Sequence, residues 1–393
     1  MKEYKLSQLL EIKNGKDHKE LPNGDYPVFG SGGVMRYVNE YLYDKPSILL
    51  PRKGSLNNIQ YCDVPFWTVD TLYYTEVNEK IACPYYLYNY LCLLDLSGLD
   101  TGTGVPSMTF DSYYNIKVLI PEIEEQKRVA SVLQNLDHKI ALNRQINDNL
   151  EAMAKQLYDY WFVQFDFPNE EGKPYKSSGG TMVYNEKLKR EIPQGWHCYE
   201  LNKWLEIKSG FAFKSETYIS KGKFKVVTIK NVQDHHLDTS SCDYVYEIPQ
   251  GMKEWCSLSV NDRLISLTGN CGRLCIVTEN DLLLNQRVGL LACNDEYIDY
   301  AYLLLSSEEY QTLSNNLAKG AAQANLSPVD LCKNIAVLPK LDVLEKFNRQ
   351  IKPIVASYIQ NEIQIAELTK QRDELLPLLM NGQATVNYHL SAY

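Results

Sequence analysis

The sequence predicts an α+β protein in which two pseudo-symmetric mixed α/β modules are joined by two long helices that form an antiparallel coiled coil. The chain has 393 residues, which is too long for one ordinary hydrophobic core. One block of sequence occurs twice, and each copy precedes a stretch with a helical repeat of apolar residues. Within the copies, short apolar runs such as Ser47–Leu50 and Lys225–Ile229 alternate with Gly, Asn and Pro, as expected for mixed sheets.

The first module is related to the second by matching segments at two different offsets. At an offset of 195 residues, Tyr4–Leu6 matches Tyr199–Leu201, and Glu11–Gly15 matches Glu206–Gly210. At an offset of 218, Ser107-Met108-Thr109 matches Asn325-Leu326-Ser327. The second copy therefore carries 23 additional residues, which we interpret as longer loops on a shared frame.

A heptad-like seam follows each module and predicts a long helix. The seam positions recur at alternating steps of four and three residues, which is typical of coiled-coil packing. In the first copy they are Val129, Leu133, Leu136, Ile140, Asn143, Asn147, Leu150, Ala154, Leu157 and Trp161. In the second copy they are Phe347, Ile351, Ile354, Tyr358, Asn361, Ile365, Leu368, Arg372, Leu375 and Leu379. We expect Pro353 and Pro377 to start or kink helical stretches.

Internal pairing of these helices makes three predictions about the fold. They run antiparallel, Asn143 and Asn361 meet at the centre and fix the register, and the N-terminal module lies beside the end of the second helix. The domain boundaries predicted from these patterns are 1–120 for module one, 121–165 for the first helix, 166–195 for a linker with a surface hairpin, 196–338 for module two, 339–385 for the second helix and 386–393 for a tail.

Composition restricts the class of protein. No run reaches the roughly 18 apolar residues of a membrane span, and the N-terminus does not resemble a signal peptide, so we expect a cytoplasmic protein that makes no membrane contact. The ten Cys lack the spacing of a zinc ribbon and are expected to be reduced. The net charge of −9 argues against a simple basic DNA-binding protein.

Four segments together resemble the specificity subunit of type I restriction-modification enzymes, and the resemblance covers nearly the whole chain. They open the first helix, close it, enter module two and end the second helix: Pro121–Gln126, Leu157–Phe165, Glu191–Trp196 and Leu375–Gly382. The opening of the second helix departs from the family pattern, since Leu341–Leu344 replaces the acidic-Gln sequence.

The resemblance implies that each module is a target-recognition domain that reads one half of a split, asymmetric site in double-stranded DNA. It also implies a non-catalytic subunit of an assembly that is a site-specific deoxyribonuclease and adenine-specific DNA methyltransferase. The partners would be two modification (methyltransferase) subunits, which can recruit two motor-nuclease (restriction) subunits. No cofactor is expected in this chain, because S-adenosylmethionine, ATP and magnesium would be bound by the partners.

Polar residues near the ends of strand-like segments are the candidates for DNA contact. Arg can bind guanine edges, Asn and Gln adenine edges, and Lys or Ser phosphates, although solvated loops have the same composition. In module one they are Lys13, Asn14, Lys16, Arg52, Lys53, Ser55, Asn57, Thr101 and Thr103. In module two they are Lys208, Ser209, Lys230, Asn231, Asn270, Arg273, Gln286, Arg287, Lys319 and Gln323.

Two other functions remain open at this point. The loop Gly30–Gly33 could bind the cofactor of a stand-alone DNA methyltransferase, although Pro22, Gly24 and Pro27 precede it where a hydrophobic strand is needed. A purely structural coiled-coil scaffold would not need the two loop-rich modules. Gly-Lys-Ser/Thr phosphate loops are absent, and His235-His236 more often marks a solvated loop than a metal site.

Overall fold

The computed structural model describes residues 1–99, 106–320 and 324–386. The chain divides into two compact units, each of which contains one module and parts of both long helices. Unit 1 comprises Met1–Ile140 and Glu367–Tyr393, and unit 2 comprises Ala141–Ala366. None of the helices in the described residues is long and apolar enough to cross a membrane.

Module one, in unit 1, consists of short strands and two short helices before the first long helix. Its strands are β1 (Lys2–Lys5), β2 (Leu10–Asn14), β3 (Tyr26–Gly30), β4 (Gly33–Val38), β5 (Ser47–Pro51), β6 (Gln60–Cys62), β7 (Trp67–Thr68), β8 (Leu72–Val77) and β9 (Lys117–Ile120). Its helices are α1 (Pro84–Cys92) and α2 (Phe110–Tyr114), and the long helix is α3 (Ile123–Tyr158). The main sheet has the antiparallel order β2-β8-β5-β6, and a second sheet, β4-β3-β7, contains the parallel pair β3–β7.

In unit 2, a π-helical turn (Asp159–Val163) ends the first long helix, and module two is described together with the hairpin β10–β11 of the predicted linker. Its strands are β10 (Met182–Asn185), β11 (Arg190–Pro193), β12 (His197–Glu200), β13 (Glu206–Ser209), β14 (Phe224–Val227), β15 (Asp243–Val245), β16 (Ser257–Leu258), β17 (Arg263–Ser266), β18 (Leu274–Ile276), β19 (Leu282–Leu284), β20 (Val288–Ala292) and β21 (Ile335–Leu338). Its helices are α4 (Ile298–Ser306), α5 (Glu308–Leu317) and α6 (Pro328–Cys332), followed by the long helix α7 (Leu341–Met380).

The two modules repeat one strand order. The main sheet of module two, β13-β20-β17-β18, follows the order of β2-β8-β5-β6, and β14–β19 is again a parallel pair. Matching backbone hydrogen bonds in the two modules show that Phe29 corresponds to Val227 and Arg52 to Leu267. The segment between these residues is 17 residues longer in module two, so it holds most of the additional 23. The predicted fold class is confirmed.

The long helices run antiparallel within each unit, as predicted. In unit 2, the Trp161 and Phe347 rings lie 5.6 Å apart, and the amide of Asn361 donates to Asn147 Oδ1 at 3.0 Å. In unit 1, Arg372 pairs with Asp137 at 2.9 Å. Most seam positions are buried, including Val129, Leu133, Ile140, Ala154, Ile351, Tyr358 and Leu379.

The predicted register is wrong by about one helical turn. Asn143 does not meet Asn361; its amide donates to Gln364 Oε1 at 3.2 Å, whereas Asn361 bonds to Asn147. Asn147 is 4% exposed and also donates to Glu362 Oε1 at 2.6 Å. The packing of the Trp161 ring on the Phe347 ring favours this register, because a shift of the helices by one turn would separate the two rings and leave voids.

The prolines of α7 do not interrupt it, and the N-terminal module does lie beside its end. Pro353 and Pro377 both occur inside the continuous span Leu341–Met380 and are exposed. In unit 1, Leu379 and Met380 are buried in one core with residues of module one, such as Leu6.

The atypical sequence at the start of α7 is accompanied by a different contact between helix and module. In unit 1, the buried amide of Gln126 donates to the carbonyls of Ile81 and Pro121 and accepts from Cys83 N at 2.9 Å. At the matching position of unit 2, Leu344 is completely buried in the apolar core. The second copy therefore attaches its module to the helix by apolar packing where the first uses an amide network.

Candidate nucleic-acid interface

Three separate segments of module one meet at the end of its main sheet where strands β2 and β5 terminate. Asn14, Tyr73 and Leu50 lie in register across β2, β8 and β5, so the residues after β2 and after β5 leave the sheet at the same end. Lys16 N donates to Thr68 O at 2.8 Å, and Arg52 N donates to Thr71 O at 3.0 Å. We call the edge formed by residues 14–16, 52–55 and 68–71 edge 1.

Module two forms the equivalent edge, which we call edge 2, from residues 209–211, 267–270 and 284–287. Phe211 N donates to Leu284 O at 2.8 Å, and Leu267 N donates to Arg287 O at 2.9 Å. Lys319 extends this edge, because its backbone exchanges two hydrogen bonds with Asn325, whose neighbour Ala324 accepts from Gly269 N at 2.9 Å. The two edges share their backbone frame and differ in their side chains.

A glycine is required at the same place in both edges. A Cβ on Gly15 would lie 2.1 Å from Val69 O, and one on Gly210 would lie 2.3 Å from Leu284 O. Only a residue without a side chain allows the backbone to cross this closely. The close crossing explains why the glycine of the Glu-Ile-Lys-x-Gly motif recurs in both copies.

The side chains of edge 1 differ in how firmly they are held. The Arg52 guanidinium donates to Asp70 O at 3.2 Å and lies 6.0 Å from the Tyr73 ring centroid. Lys13 bonds to Glu11 and lies 4.0 Å from Glu76, and the bond to Glu11 raises the pKa of its ammonium. The remaining candidates of this edge are exposed: Asn14, Lys16, Lys53 and Ser55.

Asn57 has a structural partner. Its Oδ1 accepts from Leu96 N at 3.0 Å and its amide reaches Asp95 at 3.5 Å, so it ties two loops of module one together. Although its side chain is exposed, contact with a base would need these bonds to exchange.

At edge 2, Gln286 and Arg287 are the most available side chains. Both are exposed, and neither side chain has a hydrogen bond or ion pair within the described part of the chain. By contrast, Arg273 binds Asp234 at 3.2 Å and Gln233 at 3.0 Å, and Lys230 pairs with Asp243 at 3.3 Å. Three further candidates are exposed or partly exposed: Ser209, Asn270 and Lys319.

Asn231 is a correction to the predicted set. It is completely buried, its Oδ1 accepts from both the backbone and the hydroxyl of Thr228 at 2.8 Å, and its amide donates to Asp238 O at 2.9 Å. A buried amide with its bonds satisfied inside the protein holds a turn and does not face a DNA groove. The adjacent Lys230 had made this position look like a surface cluster.

Three predicted residues, Thr101, Thr103 and Gln323, lie outside the described residues. The segments that flank them are described and join the edges, since Gly54 N donates to Pro106 O at 2.9 Å and Leu326 N donates to Leu267 O at 2.8 Å.

Sequence reasoning missed three residues at these edges. Asp70 and Thr71 occupy in edge 1 the places that Gln286 and Arg287 occupy in edge 2, as the shared backbone bonds show. The matching of Thr68 with Leu284 could have revealed them, but this match has little sequence identity. Trp255 lies beside the end of β13, where its indole donates to Ser209 O at 3.3 Å.

The glycine loop has the wrong geometry for a cofactor site. Gly30 and Gly33 are paired across the β3–β4 hairpin, with Gly33 at a φ of 114°, so the loop is a tight turn between antiparallel strands. A methyltransferase loop needs a strand before it and a helix after it. This geometry does not favour the stand-alone methyltransferase.

The adjacent histidines do not converge on a common point. The ring of His235 lies 3.3 Å from the Tyr302 hydroxyl, whereas His236 Nδ1 lies 3.1 Å from Glu362 Oε2 on α7. Burial lowers the pKa of His235, and the bond to Glu362 raises that of His236. His236 therefore attaches its loop to α7, whereas the ring of His235 packs against α4 of module two.

The amino-acid sequence is similar to a family of proteins and to individual members of it. The profile of the family described as "Type I restriction modification DNA specificity domain" matches residues 1–152 and 193–372. The chain is 26% identical to the type I restriction enzyme MjaIX specificity subunit of Methanocaldococcus jannaschii, over 94% of this chain and 86% of that protein. It is 23% identical to the HindI specificity subunit of Haemophilus influenzae, over 78% of this chain and 79% of that protein.

A solved structure has the same fold. The S subunit of a type I restriction-modification system from M. genitalium superimposes with a TM-score of 0.62 at 17% identity, covering 98% of this chain and 96% of that one. Because the family profile matches two copies and most of the chain, this protein belongs to the type I restriction-modification DNA specificity family.

Proposed function

We propose that the chain reads a bipartite, asymmetric site in double-stranded DNA, with edge 1 contacting one half and edge 2 the other. The observation that carries this proposal is one backbone frame bearing different side chains at the two edges. Edge 1 presents Asp70 and Thr71 where edge 2 presents Gln286 and Arg287. Different donors and acceptors on the same frame select different base sequences.

Edge 2 has the clearer chemistry for base readout. A free guanidinium can donate two parallel hydrogen bonds to O6 and N7 of guanine, and a Gln amide can bond N6 and N7 of adenine. Arg287 and Gln286 are adjacent and exposed on the turn between β19 and β20. At edge 1, Arg52 is held by Asp70 O and Tyr73, and this restraint lowers the conformational entropy that binding must remove.

The chain itself acts without catalysis, as a subunit that positions its partners. Two modification subunits bind S-adenosylmethionine and methylate adenine, and two motor-nuclease subunits that use ATP and magnesium can join them. The support within unit 2 is an exposed apolar face on α3, where Leu142 is 55%, Ile146 38% and Met153 51% exposed. Apolar residues at helical spacing on a solvent-facing surface are typical of a protein interface.

The proposal is tested by exchanging residues 1–120 for the corresponding part of a relative and mapping methylated adenines in cells that carry the modification subunit. We expect one half of the methylated site to change and the other half and the spacer to stay the same. A change in both halves would refute independent reading. Loss of all methylation while the exchanged protein still assembles would refute the assignment of residues 1–120 to one half.

A further inference from the structure

Trp255 is the exposed tryptophan of the chain. It is 37% exposed, whereas Trp67, Trp161 and Trp196 are at most 9% exposed and Trp204 is partly buried. Its indole nitrogen is already bonded to Ser209 O at the end of β13, which fixes the ring beside edge 2. The exposed part of the side chain is therefore an oriented apolar surface.

The ammonium of Lys208 lies over this ring, 5.3 Å from its centroid. Glu206 is 3.8 Å away, without a hydrogen bond to Lys208. The equivalent residue of module one, Lys13, is instead bonded to Glu11 and lies near a second carboxylate, Glu76. The two modules thus hold the same lysine in different ways, and only Lys208 is paired with an aromatic face.

Trp255 belongs to the segment that is longer in module two. It lies between Val227 and Leu267, where 17 of the additional residues occur. The short helical turn Glu254–Cys256 positions it, since Cys256 is buried in the core of this module. The aligned part of module one, between Phe29 and Arg52, contains no tryptophan.

We propose that Trp255 and Lys208 form a contact to the DNA backbone that module two alone uses. The indole packs on a deoxyribose of one strand, and the ammonium pairs with the neighbouring phosphate. The proposal rests on the function proposed above and adds residues to edge 2. A sugar–phosphate contact positions the protein on the duplex without reading sequence. The positive charge of Lys208 would offset part of the net negative charge of the chain where it meets the DNA.

The test compares DNA binding by wild-type, Trp255→Ala and Lys208→Gln proteins, each assembled with its modification subunits. Trp255→Ala should weaken binding roughly tenfold, on the full site and on a site with a scrambled second half alike. Lys208→Gln should lower the slope of log affinity against log salt by about 1. In the wild type, DNA should protect tryptophan fluorescence from quenching by acrylamide, and Trp255→Phe should remove this protection.

Tyr246→Ala is the matched control. This side chain is 70% exposed and follows β15, at the opposite side of the sheet β15-β14-β19-β16 from Trp255. It should bind DNA like the wild type.

Four outcomes overturn the contact. If Trp255→Ala binds DNA with unchanged affinity, Trp255 does not contact DNA. If Trp255→Ala prefers different bases from the wild type, Trp255 reads a base instead. Reduced capture of the modification subunits assigns the ring to a protein partner. If Tyr246→Ala loses as much DNA affinity as Trp255→Ala, the loss reflects a general disturbance of module two and not a specific contact. If the wild-type complex itself shows no specific binding, the proposed function fails as well, which separates the two failures.

Discussion

At the scale of single residues, two arginines should each govern one half of the site. Arg287→Ala should weaken binding by about 1–3 kcal/mol when the second half is correct, because a free guanidinium at edge 2 is replaced by a methyl group. Arg52→Ala should do the same for the first half. Filter binding with sites altered in one half measures both effects, and each variant is the control for the other. Uniform weakening on all sequences would assign the arginine to a phosphate instead.

Glycines at the crossing points should be intolerant of any side chain. Gly15→Ala and Gly210→Ala should each destabilise the protein by at least about 2 kcal/mol, because the new Cβ would lie within 2.3 Å of a carbonyl oxygen. Gly32→Ala is the control, since its Cβ would meet nothing within 4 Å. Urea denaturation gives the free energies of unfolding. Equal stability for Gly15→Ala and Gly32→Ala would contradict the close crossing.

At the scale of elements, the attachment of a module-two loop to α7 should depend on pH. The bond to Glu362 raises the pKa of His236, and burial raises the pKa of Glu151 on α3 to about 7. Both native-state pKa values lie above those of the unfolded chain, so the folded state binds more protons and stability falls as pH rises. The loss begins above the unfolded Glu pKa of about 4.3 and continues through the raised pKa of His236.

This dependence is measured by urea denaturation at pH values from 5 to 8. The His236 side chain is 49% exposed, so solvent screening keeps its contribution modest. His236→Gln and Glu151→Gln should each flatten the fall in stability with pH, and the double variant should flatten it further. A wild-type slope that survives in both single variants would show that other groups cause it.

At the scale of the whole molecule, a net charge of −9 gives the chain little electrostatic attraction of its own to DNA, so we expect partners to supply much of it. The chain alone should bind its site weakly at about 0.15 M salt, and addition of the modification subunits should raise the affinity more than about tenfold. Ile146→Glu should prevent this gain, because a carboxylate would be buried at the proposed docking face of α3. Lys352→Gln, at an exposed position of α7, is the control, because it changes the net charge by the same single unit.

Fluorescence anisotropy with a labelled duplex follows the DNA affinity, and size-exclusion chromatography follows assembly. If the chain alone binds as tightly as the complex, local patches at the two edges suffice for DNA binding. If Ile146→Glu assembles normally, the partner docks elsewhere.

The sequence by itself determined the repeat, the fold class and the two long helices. These features depend on local spacing: the seam from Val129 to Trp161 buries one face of a helix whatever lies opposite, and the offsets of 195 and 218 locate the equivalent loops. The same reasoning located Lys16, Arg52 and Arg287 just after the ends of strands. Their contact with DNA stays a prediction.

Only the tertiary structure decided the helix register and the membership of the edges. A shift by one turn keeps seam residues facing each other, so the heptad pattern does not distinguish Asn143–Asn361 from Asn147–Asn361; the packing of Trp161 on Phe347 does. Asn231 and Asn57 resemble free surface residues in sequence, yet both amides have partners in the fold. Asn231 is satisfied within its own turn, and Asn57 accepts from Leu96 N, 39 residues later. Trp255 reaches edge 2 from a loop 46 residues beyond Ser209, and no local pattern specifies a contact over that separation.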